Sequence, residues 1–172
     1  EDGTLLCPSS TEHDGWRVHF EKSSDGGKTW TVIGPIHDAS KFNAIQPSIL
    51  FLKDGRLQIM CRTRENVVGQ AFSDDLGDSW SKVTASDLPN PNSGTDALTL
   101  ADGRHLLVYN HTTRKTGNRS MLNVALSSDG EEWQMVHTLE HDEGEYSYPA
   151  VIQTADGLIH ITYTYRRRTV KH

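Results

Sequence analysis

Three stretches of the chain repeat one pattern, in which two apolar runs rich in β-forming residues flank an Asp-Gly pair. They are QPSILFLKDGRLQIMCRTR at residues 46–64, GTDALTLADGRHLLVYNHT at 94–112 and YPAVIQTADGLIHITYTYR at 148–166. An Asp-Gly pair between two such runs is a strong hairpin signal, because Gly readily adopts the positive φ of a tight turn. Each stretch is therefore predicted to form an antiparallel hairpin.

A second repeat, also rich in Asp, falls between the hairpins. It reads SSDGGKTW at 23–30, SDDLGDSW at 73–80 and SSDGEEW at 127–133, the third copy being one residue shorter. In such a turn the Asp side chain accepts backbone N–H groups, and the Trp is expected to be buried between strands. The carboxylates are too few for a calcium shell, so no metal site is predicted.

Together the two repeats define a four-stranded unit: strand a, Asp-Gly turn, strand b, loop, strand c, Asp-rich turn, strand d. The period is 52, 48 and 54 residues, because the Asp-Gly pairs begin at Asp2, Asp54, Asp102 and Asp156. Four-stranded antiparallel units at this period predict an all-β fold, the β-propeller. We expect strands b, c and d of one blade in residues 1–36, complete blades in 46–85 and 95–139, and strands a and b of a further blade in 146–172.

Fewer than four blades do not close a ring, so the chain is expected to form part of a larger propeller. The stretch SDLPNPNSG at 86–94 is expected to be a loop between blades. A formal net charge of −6 over 172 residues argues against a general nucleic-acid binder. No apolar run is long enough to cross a membrane, and no secretory signal is evident, so no membrane partner is predicted.

Turn parity predicts the face on which functional residues lie. Successive turns of an antiparallel meander alternate between two faces, so the Asp-Gly turns and the Asp-rich turns share one face, and the longer connections lie on the other. The strand ends on that second face carry Thr11, Glu12, His13, Gln46, Arg62, Arg64, Glu65, Asp96, His111, Tyr146, Tyr148 and residues 165–168, with Arg114, Lys115, Arg119, Lys171 and His172 nearby. Their basic character predicts an anionic ligand, and arginine favours bidentate pairing with a carboxylate.

The Asp-rich turns resemble the Asp boxes of the sialidase superfamily, and the resemblance spans nearly the whole chain. Sialidases are six-bladed exo-glycosidases that hold the substrate carboxylate with three arginines and use a tyrosine nucleophile polarised by a glutamate, with an aspartate as acid/base. Gln46 stands at the position of that glutamate, and Arg62 and Arg119 stand at those of the second and third arginines. Tyr148 holds the position of the nucleophile, and Tyr146 imitates it two residues earlier.

Strand alternation is expected to turn Tyr146 and Tyr148 to the same side, so either is a candidate nucleophile. The chain departs from the family pattern at Gln46, whose amide cannot accept the proton of a tyrosine. The first arginine and the acid/base aspartate belong to the family's N-terminal half, which this chain does not match. We therefore expect a resemblance to the C-terminal half of a six-bladed propeller, and no turnover by this chain alone.

The resemblance implies a sialidase-like exo-glycoside hydrolase that acts on a terminal acidic sugar without a cofactor, in a secreted or periplasmic protein. The expected partners are an acidic carbohydrate and either the missing N-terminal half of the propeller or a second copy of the chain. The candidate catalytic residues are Tyr148, Tyr146, Gln46 and Asp96, and the candidate substrate-binding residues are Arg62, Arg119, Arg64, His111, Glu12 and Arg166.

Two alternatives stay open. A different acidic-sugar hydrolase or lyase would use the same carboxylate clamp, with Asp96, Glu12 or His111 in proton transfer. A noncatalytic carbohydrate-binding propeller is the second, and Gln46 favours it because the amide removes the base that activates the tyrosine.

Overall fold

The computed structural model describes residues 3–172, which form four antiparallel sheets, so the all-β prediction is confirmed. The first sheet contains β1 (Leu5–Thr11), β2 (Arg17–Ser23) and β3 (Thr31–Ile33). The second contains β4 (Ala44–Phe51), β5 (Leu57–Thr63), β6 (Val67–Ser73) and β7 (Thr84–Pro89). The third contains β8 (Asp96–Thr99), β9 (His105–Tyr109), β10 (Leu122–Ser127) and β11 (Trp133–Glu140). The fourth contains β12 (Tyr146–Gln153), β13 (Ile159–Tyr165) and β14 (Thr169–Lys171).

Each sheet is a meander in which strands adjacent in sequence are also adjacent in space. The three quoted hairpins are β4–β5, β8–β9 and β12–β13, and their first strands contact one another in the order β4, β8, β12. The Asp2–Gly3 turn of the repeat includes Asp2, which lies outside the described residues. Within residues 3–172, no helix has the length and apolar character needed to span a membrane.

The strands differ from the sequence prediction at two places. β7 extends to Pro89, so residues 86–89 of the expected loop belong to an edge strand, where a proline is tolerated. The fourth sheet gains a third strand, β14, after a turn in which the Arg168 N–H donates to the carbonyl oxygen of Tyr165 at 3.0 Å. Arg166 and Arg167 adopt φ of 53° and 52° in this turn. Arginine is not a typical turn residue, so the sequence carried no signal for it.

Hydrophobic clusters fill the spaces between successive sheets. β5 and β9 are buried along their whole length, because each lies inside its sheet and contacts a neighbouring sheet on both sides. In β9, Leu106 and Val108 pack toward the fourth sheet, whereas Leu107 and Tyr109 pack toward the second. Burial on both faces explains why residues 106–109 of β9 form a continuous apolar run rather than an alternating pattern.

Each Asp-rich turn is held by a similar set of hydrogen bonds. Asp25 Oδ1 accepts the backbone N–H groups of Lys28 and Thr29, both at 2.9 Å. The backbone N–H of Thr29, and then its hydroxyl, lower the pKa of Asp25 to about 2. Equivalent bonds form around Asp75 and Asp129, although the third turn is one residue shorter. The carboxylates of these turns are thus used to build the turn itself.

The tryptophans of these turns are less buried than expected. Trp30 is 46% exposed, and Trp80 and Trp133 are partly buried. Each indole N–H donates to a Gly carbonyl of its own turn, at 3.0, 3.2 and 2.9 Å respectively, which holds the ring at the turn rather than inside the sheet. Trp80 stacks on Phe20 of the first sheet with ring centroids 4.1 Å apart. Among the described residues, Trp80 and Trp133 therefore pack against hydrophobic clusters, whereas Trp30 does not.

Candidate functional site

Arg62 lies at the end of β5 and is only 8% exposed. Its Nε donates to Asn92 Oδ1 at 2.8 Å, and its Nη1 donates to Gln46 Oε1 at 3.4 Å. The Cζ atom stands 4.8 Å from the ring centroid of Trp16. Burial lowers the pKa of Arg62, and a hydrogen bond with Tyr148 opposes that shift. The guanidinium is thus held in one orientation by amide, aromatic and phenol groups.

Arg119 reaches the same place from the connection between β9 and β10. Its Nη1 donates to Glu145 Oε1 at 3.0 Å, and its Nη2 donates to the carbonyl oxygen of Asn92 at 2.8 Å. Its Cζ lies 5.5 Å from the ring centroid of Tyr148. Asn92 therefore joins the two arginines, because its side-chain oxygen accepts a hydrogen bond from Arg62 and its main-chain carbonyl oxygen accepts one from Arg119.

We call Arg62, Arg119, Tyr148, Gln46 and Asn92 the arginine–tyrosine cluster. A guanidinium carries five N–H donors, so the hydrogen bonds of Arg62 and Arg119 within the protein leave donors free on each. Two partly free guanidiniums that flank a phenol are suited to a planar anion such as a carboxylate.

Gln46, Gly94 and Tyr148 occupy the same position in the three hairpins, eight residues before the Asp of the Asp-Gly turn. Gln46 and Tyr148 adopt φ of 56° and 51°, each within an irregularity of its strand pairing. A Cβ on Gly94 would lie 3.3 Å from Gln46 Oε1 and 3.3 Å from Tyr148 Cδ1. The absence of a side chain at Gly94 therefore leaves the space in which the amide and the phenol approach each other.

Tyr148 is 48% exposed and lines a cavity of ≈ 250 Å³ together with Gln46 and Gly94. Partial burial opposes ionisation of its hydroxyl, but hydrogen bonds from Arg62 and Arg119 outweigh that effect. The pKa of Tyr148 is consequently lowered from the ordinary value of 10.0. The cluster thus favours negative charge on the phenol oxygen.

Tyr146 does not belong to the cluster, so the expectation that both tyrosines face one side is wrong. Its side chain is fully buried in the hydrophobic cluster between the third and fourth sheets. Its hydroxyl accepts a hydrogen bond from Arg166 Nε at 3.4 Å. The irregular pairing between Ser147 and Ala150 interrupts the alternation of side chains along β12, which separates Tyr146 from Tyr148.

Asp96 lines the same cavity as Gln46 and Tyr148, but its carboxylate is bonded to groups of three sheets rather than free. Its Oδ1 accepts the hydroxyl of Ser48 at 2.8 Å and the N–H of Ala97 at 3.0 Å, and its Oδ2 accepts the N–H of Val151 at 2.8 Å. Ser48 lies in β4, Asp96 in β8 and Val151 in β12. Both oxygens are therefore engaged in structural bonds, which argues against the proton-transfer role expected for Asp96.

Asp96→Ala is expected to lower the free energy of unfolding by about 2 kcal/mol, because it leaves the buried N–H of Val151 without its acceptor. Asp96→Asn, which retains one carbonyl oxygen, should lose less. Urea denaturation measures both, and Asp102→Ala in an exposed turn is the control. Unchanged stability of Asp96→Ala would show that these bonds do not join the sheets.

Arg64 and Glu12 lie beside the cluster rather than in it. Arg64 is exposed, and its Cζ stands 4.1 Å from the ring centroid of Trp16, which Arg62 also contacts. Glu12 is exposed just after β1, and its charge opposes the lowering of the Arg62 pKa that burial causes. Both residues therefore belong to the margin of the site.

His111 and Arg166 contact other tyrosines. The His111 ring is hydrogen-bonded through Nδ1 to the hydroxyl of Tyr109, with ring centroids 5.5 Å apart. Arg166 lies over Tyr165, with its Cζ 5.2 Å from the ring centroid, and donates to the buried Tyr146 hydroxyl. The structure therefore does not bring these two side chains to Arg62 and Tyr148.

Sequence reasoning missed four residues that shape the site: Trp16, Asn92, Gly94 and Glu145. Trp16 is the one tryptophan outside the Asp-rich turns, and Gly94 heads the second of the three aligned hairpins, so both carried a usable signal. Asn92, in a stretch predicted to be loop, and Glu145, before β12, carried none. Arg167 rather than Arg166 pairs with Glu145, because the turn before β14 directs it there.

A family model described as BNR repeat-like domain matches residues 1–161 of the chain. None of the curated proteins matches it. Among solved structures, a protein of unknown function from Dyadobacter fermentans is 19% identical, with a TM-score of 0.78 and coverage of 96% of this chain and 47% of that one.

Two sialidase structures show the same fold. The intramolecular trans-sialidase from Ruminococcus gnavus, in complex with oseltamivir carboxylate, is 20% identical, with a TM-score of 0.72 and coverage of 94% of this chain and 36% of that one. The Trypanosoma rangeli sialidase, in complex with the inhibitor DANA, is 17% identical, with a TM-score of 0.74 and coverage of 96% and 28%. The chain thus spans less than half the length of these proteins, and its sheets are blades of a sialidase-like β-propeller, as predicted.

Proposed function

Because the chain belongs to the family of proteins with a BNR repeat-like domain, we propose that its arginine–tyrosine cluster binds a terminal acidic sugar in a sialidase-like exo-glycoside hydrolase. The carboxylate of the sugar lies on Arg62 and Arg119, and the ring lies against Tyr148. The sugar is sialic acid or a related keto-deoxy or uronic sugar.

The observation that carries the proposal is the convergence of two arginines and a tyrosine from three blades. Arg62 lies near the end of β5, Arg119 precedes β10 and Tyr148 lies in β12, so their proximity comes from the stacking of blades and not from local sequence. Guanidiniums that already share Asn92 are pre-organised, which reduces the entropy lost when an anion binds.

In the proposed reaction, the oxygen of Tyr148 attacks the anomeric carbon while the bond to the leaving oxygen breaks. Arg62 and Arg119 favour the ionised phenol, in place of a base at Gln46, whose amide accepts no proton. The leaving oxygen takes its proton from a carboxylic acid outside the cluster. Water then attacks the anomeric carbon and gives its proton to the resulting carboxylate, which restores the carboxylic acid, while the bond to Tyr148 breaks and releases the ionised phenol.

A noncatalytic carbohydrate-binding propeller is the second candidate, and the amide at Gln46 favours it. Gln46 Oε1 accepts from Arg62 at 3.4 Å, so the amide helps to orient the clamp even where it cannot act as a base. This reading requires ligand binding at the same arginines without turnover.

Binding and turnover measured together separate the candidates. Calorimetry with sialyllactose and with a uronide tests the 172-residue chain, and release of a fluorogenic aglycone tests this chain and the longest natural protein that contains it. Turnover that Tyr148→Phe abolishes while binding persists supports the hydrolase. Binding without turnover in either protein supports the noncatalytic propeller, and no binding of any acidic sugar contradicts both.

A pH titration tests the electrostatics of the cluster. Tyr148 is expected to ionise before Tyr109 and Tyr163, because the arginines lower its pKa, whereas burial raises that of Tyr109 and raises that of Tyr163 to about 12. The near-ultraviolet absorbance of phenolate measures this, with Tyr148→Phe as the difference sample. Arg62→Gln should raise the pKa of Tyr148, and an unchanged titration would show that Arg62 does not act on the phenol.

A further inference from the structure

We propose that the cavity lined by Arg114, Arg119 and Arg167 is a second anion subsite, which takes a carboxylate or sulfate ester on the sugar next to the terminal acidic one. The cavity has a volume of ≈ 370 Å³. The inference rests on the proposed function, since it names the class of substrate: a glycan that carries two adjacent negative groups.

Charge within the cavity is unbalanced. Arg119 and Arg167 both pair with Glu145, which is the one carboxylate in the lining. Among residues 3–172, no hydrogen bond or ion pair engages the guanidinium of Arg114. Three guanidiniums face one carboxylate in the lining, so the cavity carries excess positive charge in a chain whose formal net charge is −6. Such local focusing favours an anionic ligand.

The segments that carry Arg114 and Arg167 have defined backbone conformations. The backbone N–H of Arg114 donates to Asn66 Oδ1 at 3.1 Å, which ties its loop to the second blade. Asn118 closes that loop by donating its N–H to the carbonyl oxygen of Thr113 at 2.9 Å. Arg167 sits at φ 52° in the turn between β13 and β14. The subsite is thus assembled entirely from described residues of this chain.

The two subsites adjoin each other at Asn92 and Arg119. Asn92 lines the cavity, and its side-chain oxygen also accepts a hydrogen bond from Arg62. Arg119 lines the cavity too, and its guanidinium lies over the Tyr148 ring. A ligand whose terminal carboxylate occupies Arg62 and Arg119 therefore has its next sugar close to the cavity. A second anionic group on that sugar would pair with Arg114 and Arg167.

Calorimetry with the 172-residue chain tests the subsite with four probes: sialyllactose, disialyllactose, sulfated sialyllactose and sulfated lactose. The second anion is expected to tighten binding about tenfold relative to sialyllactose, which corresponds to one further charged hydrogen-bonded pair. The disialyl and sulfated arms show whether carboxylate or sulfate is preferred. The gain should diminish with added salt, because Arg167 is largely exposed.

Arg114→Gln is expected to remove most of that gain, and Arg104→Gln is the matched control, since Arg104 lies in an Asp-Gly turn paired with Asp102. Equal affinity for sialyllactose and both doubly charged probes, or equal effects of the two variants, would overturn the subsite while leaving the proposed function in place. Arg114-dependent binding of sulfated lactose without any binding of sialyllactose would uphold the subsite and contradict the proposed function. No binding of any probe contradicts both.

Discussion

Arg62→Ala is expected to weaken binding of sialyllactose by about tenfold to a hundredfold, because it removes charged hydrogen bonds to the ligand carboxylate. Arg62 is almost fully buried and orientated by Asn92 and Gln46, so no neighbouring side chain can take its place without moving. Calorimetry on the purified chain gives the affinity. Arg62→Lys keeps the charge but lacks the planar guanidinium, so its affinity should lie between those of the original chain and Arg62→Ala.

The control for Arg62→Ala is Arg104→Ala, which removes an arginine from an Asp-Gly turn. Near-ultraviolet circular dichroism of each variant reports whether the tertiary structure is retained. If the folded Arg62→Ala variant binds sialyllactose as tightly as the original chain, the carboxylate clamp is wrong. Equal weakening by Arg104→Ala would likewise show that the effect is a general loss of positive charge.

Gly130→Ala is expected to lower the free energy of unfolding by about 4 kcal/mol, since it combines backbone strain with overpacking. Gly130 has φ +83°, and a Cβ there would lie 2.2 Å from Gln58 Oε1 and 2.8 Å from Leu52 Cδ2. Gln58 is fully buried and donates its Nε2 to the carbonyl oxygen of Gly130 at 2.7 Å, so it has little freedom to move.

Gly157→Ala separates the two contributions to that loss. Gly157 has φ +85° but no atom within 4 Å of a Cβ, so its substitution should cost about 1 kcal/mol from the backbone alone. Urea denaturation of both variants gives the difference, which measures the close packing of the third Asp-rich turn against Gln58. Equal losses of unfolding free energy in the two variants would mean that the Gln58 side chain moves aside at little cost.

The strand pattern and the turns were predictable because they depend on residues close in sequence. Asp-Gly pairs between apolar runs gave three hairpins, and the Asp25, Asp75 and Asp129 turns hold themselves with their own backbone N–H groups. The turn before β14 was missed because arginines, not glycine or asparagine, occupy its positive-φ positions.

The resemblance to the sialidase pattern identified Arg62, Arg119 and Tyr148 as candidates, but not the contacts they make. The side chains of Tyr146 and Tyr148 occupy different environments because the strand pairing of β12 is irregular between them. A pattern of period two in the sequence cannot reveal such an irregularity. An aspartate such as Asp96 can serve either in proton transfer or as a structural acceptor, and the sequence does not distinguish the two. Only the hydrogen bonds with Ser48 and Val151 show that Asp96 joins strands.

The sequence by itself determined a propeller of Asp-turn blades and the ends of the strands that carry its basic residues, because hydrogen bonds within turns and alternation along strands act over a few residues. Tertiary structure decided which side chains meet. Asn92 joins Arg62 to Arg119, and Gly94 admits Tyr148 beside Gln46, only because blades tens of residues apart stack against one another. Such contacts arise from packing between sheets, and that packing is set by the hydrophobic clusters of whole blades rather than by any local pattern.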